Sequence, residues 1–447
     1  MFKYLVIAQH LTNTIQSEQL PAGTKLPSVR DLAADYQCSK HTIMQALKKL
    51  EQQHLIYCKF KSGYYIVKKE TPSPPDIDAY DFSNAAPDWQ QFPYLDFQHC
   101  IHQAVDTYQK DLFVYGAHQG LPELLRTLKM QLENAQIFAR LDNIFVTSGI
   151  QQALSILCQM PFPNEKSVIL IEEPSYSVLI GMLQLYRLPV ISIPRGTAGL
   201  DLDKLEQLFS EHAIKFFYTM PRFHNPLGTS YTSGERKALV KLAQKHDVYL
   251  VEDDYLADFD TNKKNDPLYA TDLNDKTIYL KSFSKIMFPG LRTGVAILPA
   301  LLKETFSQYK KCADISTSIF SQAGLEIYIN SGMYDHHLKS VQQAYTKKTA
   351  AFTDAVQKHP LSKKLQLAPP QAMKTHLVLP EQLALDSLLK QCQKQNILLS
   401  DSRDSYLAGK SQDNLLLLDL SSMGEATIRE GTARLLTQLG KQLRIEY

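Results

Sequence analysis

The sequence predicts an α/β domain with a mostly parallel sheet, preceded by a small winged helix-turn-helix domain. Its 447 residues exceed the size of one ordinary domain. Strand-like and helix-like runs alternate from about Phe92 onward, which is typical of a mostly parallel sheet. The first 69 residues instead contain two short helical patterns followed by two strand patterns. We therefore expect a helix-turn-helix domain over 1–69, a linker over 70–92 and an α/β domain over 93–447.

Composition excludes several classes of protein. Hydrophobic residues make up 44% of the chain and charged residues 21%, which is typical of a soluble globular protein. No run approaches about 18 uninterrupted apolar residues, and the N-terminus lacks a signal-peptide pattern, so we expect a cytoplasmic protein without a membrane partner. The six cysteines are scattered singly and predict neither a metal site nor a disulfide framework.

The net charge of +2 conceals an asymmetry along the chain. Residues 1–69 contain ten Lys or Arg against four Asp or Glu, whereas the remainder contains 38 against 42. A basic N-terminal module indicates a polyanionic partner, although a solvated basic face would give the same count.

The N-terminal patterns fit a helix-turn-helix. A first helix over 28–36 begins at an N-cap serine, breaks at Gln37 and Cys38, and gives way to a second helix from Ser39. The second helix carries Ile43, Ala46, Leu47 and Leu50 on one face. Two strand patterns around Ser62 and Gly63 then predict a wing. This arrangement offers the second helix to the major groove of DNA, although a three-helix packing module is the alternative.

The segment GTKLPSVRDLAADYQCSKHTIMQALKKLEQQHLI resembles the winged-helix DNA-binding domain of GntR-type transcriptional regulators, over Tyr4 to Val67. The resemblance implies operator DNA as a partner. Lysine and backbone amides would reach phosphates, and the first turn of the second helix would approach the bases. The expected DNA-binding residues are Ser28, Arg30, Ser39, Lys40, His41, Thr42, Met44, Gln45, Lys61, Ser62 and Gly63.

The segment over 70–92 is rich in proline and poor in aliphatic residues. Such a composition favours an extended tether, so we expect a semi-rigid linker there. It contains the single tryptophan, Trp89.

Polar residues follow several predicted strands of the α/β domain. VTSGIQQAL ends a strand and opens a helix, which indicates either an anion cradle or a simple capping turn. VYLVEDDY ends a strand with three adjacent acids, which could pair a cationic ring nitrogen or bind a metal. Asn225 lies in a turn, and Lys285 follows a strand in KSFSKIMFPGLRTG.

Taken together, the order of these motifs resembles the fold-type I aminotransferases, over roughly Tyr80 to Leu439. The resemblance implies pyridoxal 5'-phosphate (PLP) as cofactor, with Lys285 as its Schiff-base residue. Asp253 would pair with the pyridine nitrogen, Asn225 and Tyr255 would bond the ring oxygen, and Tyr176 would stack on the ring. The residues implied around the phosphate are Ser148, Gly149, Ile150, Gln151, Ser282, Ser284 and Arg292.

Tyr115 matches a tyrosine that reaches the phosphate of the neighbouring subunit, which implies a homodimer. The whole chain resembles the MocR subfamily of GntR regulators, in which an aminotransferase-like domain senses and the winged helix binds DNA. The expected effector is a small amine or the B6 vitamer itself. The alternative is an aminotransferase with an accessory DNA-binding module.

One position departs from the family pattern. Leu417 stands where the family has an arginine that binds the substrate α-carboxylate, with Asp419 close behind. Either the effector lacks an α-carboxylate, or another arginine such as Arg403 takes the role, or the vitamer is the signal.

Overall fold

The computed structural model describes residues 3–17, 24–52, 55–59, 62–66, 79–196, 199–262, 265–363, 370, 372–380, 383, 385–407 and 414–443. The chain divides into two compact units, Met1–Asp78 and Ala79–Tyr447. Each unit is described below by itself.

The part of the small unit that the structure describes contains three helices: α1 (Lys3–Ser17), α2 (Val29–Asp35) and α3 (Lys40–Gln52). Ser28 caps α2 and forms a capping box with Asp31, which satisfies two backbone donors at the helix start. The apolar face predicted for the second helix is buried, with Ile43 and Leu47 fully covered. The two-helix arrangement is therefore confirmed, and α1 packs behind it.

The predicted wing is a two-stranded antiparallel hairpin of β1 (Ile56–Lys59) and β2 (Gly63–Ile66). The backbone at Gly63 has φ +119°, a conformation that glycine adopts readily. Lys25 forms an isolated antiparallel bridge with Tyr65, so the chain before α2 extends the hairpin. Lys61 lies outside the described residues.

The large unit is built on an eight-stranded sheet in the order β4-β11-β10-β9-β8-β5-β6-β7. Its strands are β4 (Ile144–Thr147), β5 (Val168–Glu173), β6 (Val190–Gly196), β7 (Gly199–Leu200), β8 (Ile214–Thr219), β9 (Tyr249–Asp253), β10 (Thr277–Ser282) and β11 (Gly294–Ile297). Within it β6, β5, β8, β9 and β10 are parallel neighbours, whereas β11 and β7 pair antiparallel. The strand-like runs that alternate with helical runs in the sequence form this sheet. They could be recognised because strands buried on both faces are continuous apolar runs.

The helices of the large unit pack against this sheet and against a second, smaller sheet. They are α4 (Tyr94–Tyr108), α5 (Pro122–Asn134), α6 (Ile150–Gln159), α7 (Ser177–Leu185), α8 (Leu202–Glu211), α9 (Ser233–Lys245), α10 (Leu268–Thr271), α11 (Lys303–Asp314), α12 (Ile319–Asn330), α13 (Met333–Lys358), α14 (Leu385–Gln393) and α15 (Glu425–Gln442). None of the described helices is both long enough and apolar enough to cross a bilayer.

A second, three-stranded antiparallel sheet follows, in the order β12-β15-β14. It contains β12 (Lys374–Val378), β14 (Ser400–Asp401) and β15 (Leu415–Asp419). A separate parallel pair joins β3 (Tyr80–Asp81) to β13 (Ile397–Leu398).

The start of the large unit differs from the predicted boundary. Residues 79–92 belong to this unit, since β3 pairs with β13 and Phe82 is buried against the second sheet. Asp88 forms an ion pair of 3.1 Å with Lys348. The proline content predicts an extended tether over 70–92. Strand pairing of β3 and burial of Phe82 instead place residues 79–92 on the large unit. The described part of the predicted linker is therefore structured.

Candidate functional site

A cavity of about 280 Å³ opens beside the carboxyl ends of strands β9, β8 and β10. Such edges are where open α/β sheets bind ligands. Most of the residues predicted for the cofactor line it. The lining consists of Ala85, Gly149, Ile150, Gln151, Tyr176, Met220, Asn225, Asp253, Tyr255, Ser282, Ser284, Lys285, Arg292 and Lys374.

Lys285 is the reactive amine that this cavity offers. Its side chain is half-buried, and its ammonium donates a hydrogen bond to the carbonyl of Ala85. Burial lowers the pKa of Lys285 to about 8; the positive charge of Lys374 acts in the same direction, and Asp419 opposes both. A lysine with this pKa has a substantial neutral fraction near neutral pH and can act as a nucleophile.

Asp253 ends β9 with its carboxylate directed into the cavity. The Tyr218 hydroxyl donates to Oδ2 at 2.7 Å, whereas Oδ1 is buried and meets no donor among the described residues. Burial raises the pKa of Asp253 to about 7. A cationic N–H donor at Oδ1 would satisfy this oxygen and favour the charged carboxylate.

The two acids beside Asp253 have structural partners instead. Glu252 accepts hydrogen bonds from the backbone N–H groups of Leu268 and Tyr269, at 2.8 and 2.9 Å. Asp254 accepts from Arg222 Nε at 3.1 Å and pairs with a second guanidinium nitrogen as well. Among the described residues no group of three or more His, Cys, Asp or Glu side chains could bind a metal ion.

The turn between β4 and α6 forms the end of the cavity that is suited to bind an anion. Ile150 and Gln151 begin α6, so their backbone N–H groups have no partner within the helix. Arg292 Nη2 donates to the Ser148 carbonyl at 3.3 Å and to Gln151 Oε1 at 3.2 Å. Ser148 does not line the cavity, and its backbone N–H donates to Gln152 Oε1 at 2.8 Å.

Two glycines allow backbone and guanidinium groups to approach one another closely at this end of the cavity. Gly149 has φ +76°, and a Cβ there would lie 2.8 Å from Arg292 Nη2. A Cβ on Gly294 would lie 2.8 Å from the Gly149 carbonyl carbon and 2.9 Å from the Ile150 nitrogen. Side chains at either position would displace the guanidinium or the start of the helix.

Aromatic and amide groups complete the walls. The Tyr176 hydroxyl accepts from Gln151 Nε2 at 3.1 Å, which fixes its ring at the cavity edge. The Tyr255 hydroxyl donates to the Phe223 carbonyl at 3.0 Å, and its ring lines the cavity. Asn225 lies on the same loop as Phe223 and faces the cavity.

Four contributions were not predicted: Ala85, Met220, Lys374 and Asp419. Lys374 lines the cavity from β12, and its ammonium forms an ion pair of 2.7 Å with Asp419 on the neighbouring strand. Ala85 contributes a backbone carbonyl from the segment predicted as linker. Two sequence signals were available: the strand pattern KTHLV, which begins at Lys374, and the run AYDFSN, which directly precedes Ala85. Neither run carries a chemical motif.

Three further sequence candidates lie outside the cavity lining. Tyr115 is 82% exposed on the surface of the large unit. Leu417 lies within β15 opposite His376. Arg403 forms an ion pair of 3.0 Å with Asp386.

The predicted DNA-binding face is open to solvent in the small unit. Arg30, Lys40, His41, Met44 and Gln45 are exposed. The hydroxyls of Ser28 and Ser39 cap helices: Ser28 Oγ accepts from the backbone N–H of Asp31 at 3.3 Å, and Ser39 Oγ accepts from the backbone N–H of Thr42 at 3.2 Å. Ser62 and Gly63 are half-buried in the hairpin.

The described residues fit PLP, the cofactor expected from the sequence. The unsatisfied Asp253 oxygen suits a protonated ring nitrogen, and Lys285 stands in the same cavity. The glycine-lined cradle with Arg292 suits a phosphate, because a guanidinium and helix N–H groups bind phosphate oxygens.

Comparison with known families gives two matches. Residues 86–415 match the family Aminotransferase class I and II, and residues 3–66 match the family of bacterial regulatory proteins, gntR family.

The chain is 48% identical over 444 residues to the uncharacterized HTH-type transcriptional regulator YcxD of Bacillus subtilis, covering 98% of this chain and 100% of that protein. It is 25% identical to aromatic-amino-acid aminotransferase 1 of Thermococcus litoralis, over 82% of this chain and 89% of that protein. Among solved structures, Pyrococcus horikoshii kynurenine aminotransferase superposes with a TM-score of 0.75 at 25% identity, covering 83% of this chain and 92% of that one.

Proposed function

The chain belongs to the class I and II aminotransferase family, and it joins an aminotransferase-like domain to a GntR-family helix-turn-helix domain. We propose from this architecture that the protein regulates transcription. The protein is a transcriptional regulator with a PLP-type domain, an architecture consistent with the MocR subfamily. We propose that a small primary amine or the B6 vitamer itself binds at Lys285 and changes the conformation of a homodimer. That change alters binding to operator DNA in the cytoplasm.

The hydrogen bond from Lys285 to the Ala85 carbonyl carries this proposal. Ala85 lies near the beginning of the large unit, only a few residues after the boundary at Ala79. A change in the charge or bonding of the Lys285 nitrogen therefore alters its contact with Ala85. Ala85 belongs to the segment that leads, along the chain, back to the DNA-binding unit. A lysine that changes its charge and its number of N–H donors makes this contact stronger or weaker.

PLP supplies an aldehyde to which an amine nitrogen adds. Lys285 would hold that carbon, Asp253 would hold the ring nitrogen in its protonated form, and Arg292 with the start of α6 would hold the phosphate. An amine effector that took the aldehyde carbon in place of Lys285 would free the lysine nitrogen, which would then donate to the Ala85 carbonyl as it does in this structure. A ligand that binds two conformations unequally shifts their populations by that difference in affinity.

An exposed apolar group supports the homodimer. Phe113, Val114 and Tyr115 are consecutive residues that are 71%, 59% and 82% exposed. A contiguous exposed group of this kind is typical of an interaction surface. The same stretch contains the tyrosine that the family resemblance assigns to the neighbouring subunit's site.

A second candidate function is aminotransferase turnover. The observation that favours it is Lys285 itself, whose pKa near 8 gives it a neutral amine that can move protons as well as bind the cofactor. Turnover requires that an amine be converted with a keto acid as acceptor.

One experiment tests the regulatory proposal. Operators are selected from a random duplex pool by the PLP-loaded protein, and their affinities are measured for PLP-loaded, PLP-free and Lys285→Ala protein. We expect loaded and free protein to differ by at least about tenfold, which corresponds to roughly 1.4 kcal/mol, and Lys285→Ala to show no response to PLP. Equal affinities in all three preparations, with and without added primary amines, would contradict the proposal. Steady consumption of a keto acid with an added amine would favour the enzyme instead.

A further inference from the structure

A buried ion pair outside the cavity fixes the segment that carries Ala85. Asp88, three residues further along the chain, pairs with Lys348 of α13 at 3.1 Å, and the two side chains are only 10% and 4% exposed. The other carboxylate oxygen of Asp88 accepts from the backbone N–H of Gln90 at 3.1 Å and so begins the one-turn helix at Trp89. A charge pair buried to this degree holds its partners in one geometry, because an unpaired buried charge is costly.

The Lys348 ammonium is also connected to the opposite wall of the cavity. It donates to the Ser421 carbonyl at 2.8 Å. The backbone N–H of Ser421 donates to Asp419 Oδ1 at 2.9 Å, and Asp419 Oδ2 pairs with Lys374 at 2.7 Å. Lys374 lines the cavity. Polar contacts therefore run without a break from the Asp88–Lys348 pair to the ligand cavity.

Residues 82–88 meet the cavity by a second, direct route. The Lys285 ammonium donates to the Ala85 carbonyl within the cavity lining. The backbone N–H of Asp419 donates to the Phe82 carbonyl at 2.9 Å, so the start of the same stretch is bonded to the second sheet. The stretch is thus held at three points, and two of these points are connected to side chains that line the cavity.

We propose that Lys348 is a positioning residue, which holds Ala85 at the Lys285 nitrogen through Asp88 and so passes a change in the cavity to the segment that leads along the chain to the DNA-binding unit. Three residues of extended chain span at most roughly 10 Å, so little slack separates the contact at Ala85 from the ion pair. This inference rests on the proposed function and deepens it, since it identifies the residues through which the cavity acts on that segment.

Trp89 gives a specific signal for this segment, because it is the single tryptophan of the chain and directly follows Asp88. Its side chain is 42% exposed, so its quenching by acrylamide can rise further. The quenching rate constant is obtained from fluorescence lifetimes, which corrects for energy transfer to the cofactor, on full-length protein with and without PLP. In the wild type we expect PLP to raise this constant by up to roughly twofold, because a Lys285 nitrogen bound to the aldehyde no longer donates to Ala85 as an ammonium.

A double variant tests the ion pair without leaving a buried charge unpaired. Asp88→Asn combined with Lys348→Met removes both charges. We expect this protein to take up PLP, measured by visible absorption, since the cavity lining is unchanged. Its Trp89 quenching should be high with and without PLP, and the effect of PLP on affinity for the selected operators should fall from about tenfold to below about twofold. Lys348→Arg should keep both responses, because a guanidinium can still pair with Asp88.

Lys310→Met is the matched control. Lys310 is also a buried lysine that pairs with an aspartate, Asp314, at 2.9 Å, and it lies outside the cavity lining. The control should keep the response of Trp89 and of DNA affinity to PLP, even where it lowers the stability of the protein. It therefore separates the position of the Asp88–Lys348 pair from the general effect of removing a buried lysine.

Three results would overturn the inference. The first is a PLP-loaded wild type whose Trp89 quenching equals that of the PLP-free protein. The second is a double variant with the wild-type responses, and the third is a control that loses them as fully as the double variant does. DNA affinity that ignores PLP and added amines while Trp89 responds would overturn the proposed function alone. A protein that takes up no PLP would overturn the proposed function and this inference with it.

Discussion

Replacing Asp253 with asparagine should have opposite effects on the PLP-free and the PLP-loaded protein. In the free protein the carboxylate is buried with one oxygen unsatisfied, and its pKa rises from 3.8 to about 7. The folded state therefore holds the proton more tightly than the unfolded state. The free energy of unfolding that Asp253 contributes is therefore highest at low pH, and it falls as the pH rises from about 4 towards 7.

The magnitude follows from the two pKa values. A tenfold change in proton affinity corresponds to about 1.4 kcal/mol, so the charged carboxylate costs on the order of 4 kcal/mol well above pH 7. Between pH 5 and pH 8 the cost should grow by roughly 2–3 kcal/mol. Asp253→Asn removes this dependence, because the amide does not titrate.

Urea unfolding of the PLP-free large unit within the full chain, at pH 5 and pH 8, measures the difference. We expect the wild type to lose roughly 2–3 kcal/mol more than Asp253→Asn over that interval. The same variant should bind PLP roughly 100-fold more weakly, since it loses a charge-assisted contact to the ring nitrogen. Identical pH dependence in the two proteins would refute the assignment of an unsatisfied carboxylate at this position.

The neighbouring acid gives the contrasting case. Asp254→Asn breaks the buried pair with Arg222, and removing one partner of such a pair typically costs about 3–5 kcal/mol. We expect this variant to be destabilised at both pH 5 and pH 8, measured by the same unfolding curves. A variant as stable as the wild type would contradict the structural role of Asp254.

Three further variants test separate parts of the account. Gly294→Ala should abolish PLP binding, because its Cβ would lie 2.8 Å from the backbone of the cradle, whereas Gly290→Ala, whose nearest neighbour is at 3.8 Å, should bind normally in a fluorescence titration. The double variant Arg30→Ala with Lys40→Ala should reduce the salt dependence of DNA affinity by about 0.9 per lost phosphate contact; an unchanged slope would exclude these residues from the interface. Phe113→Asp should shift the protein towards a monomer by light scattering, and an unchanged mass would exclude this surface from the dimer.

The strands of the large sheet could be predicted because each is a short apolar run bounded by turn residues. The sequence could in principle also distinguish which of the three adjacent acids, Glu252, Asp253 and Asp254, faces the cavity. Side chains alternate across a strand, so Asp253 faces one side while Glu252 and Asp254 face the other. The structure bears this out, since only Asp253 reaches the cavity.

The contributions that sequence reasoning missed come from distant parts of the chain. Lys374 reaches the cavity because β12 and β15 pair in a register that sets it opposite Asp419, and no local pattern specifies that register. Ala85 contributes through its backbone carbonyl, so its side-chain type carries no signal. Proline content predicts a linker over 70–92, whereas the pairing of Tyr80 with Ile397, a residue over three hundred positions away, places residues from Ala79 onward in the large unit.

The central claim is that Lys285 binds PLP covalently, and reduction of the loaded protein tests it most directly. Full-length protein saturated with PLP is treated with borohydride, digested and analysed by mass spectrometry alongside Lys285→Ala. The account predicts a visible absorption band before reduction and, afterwards, one reduced cofactor attached to the peptide containing Lys285, with neither in the variant. A colourless wild-type protein without an adduct, or an adduct on another lysine, would contradict it.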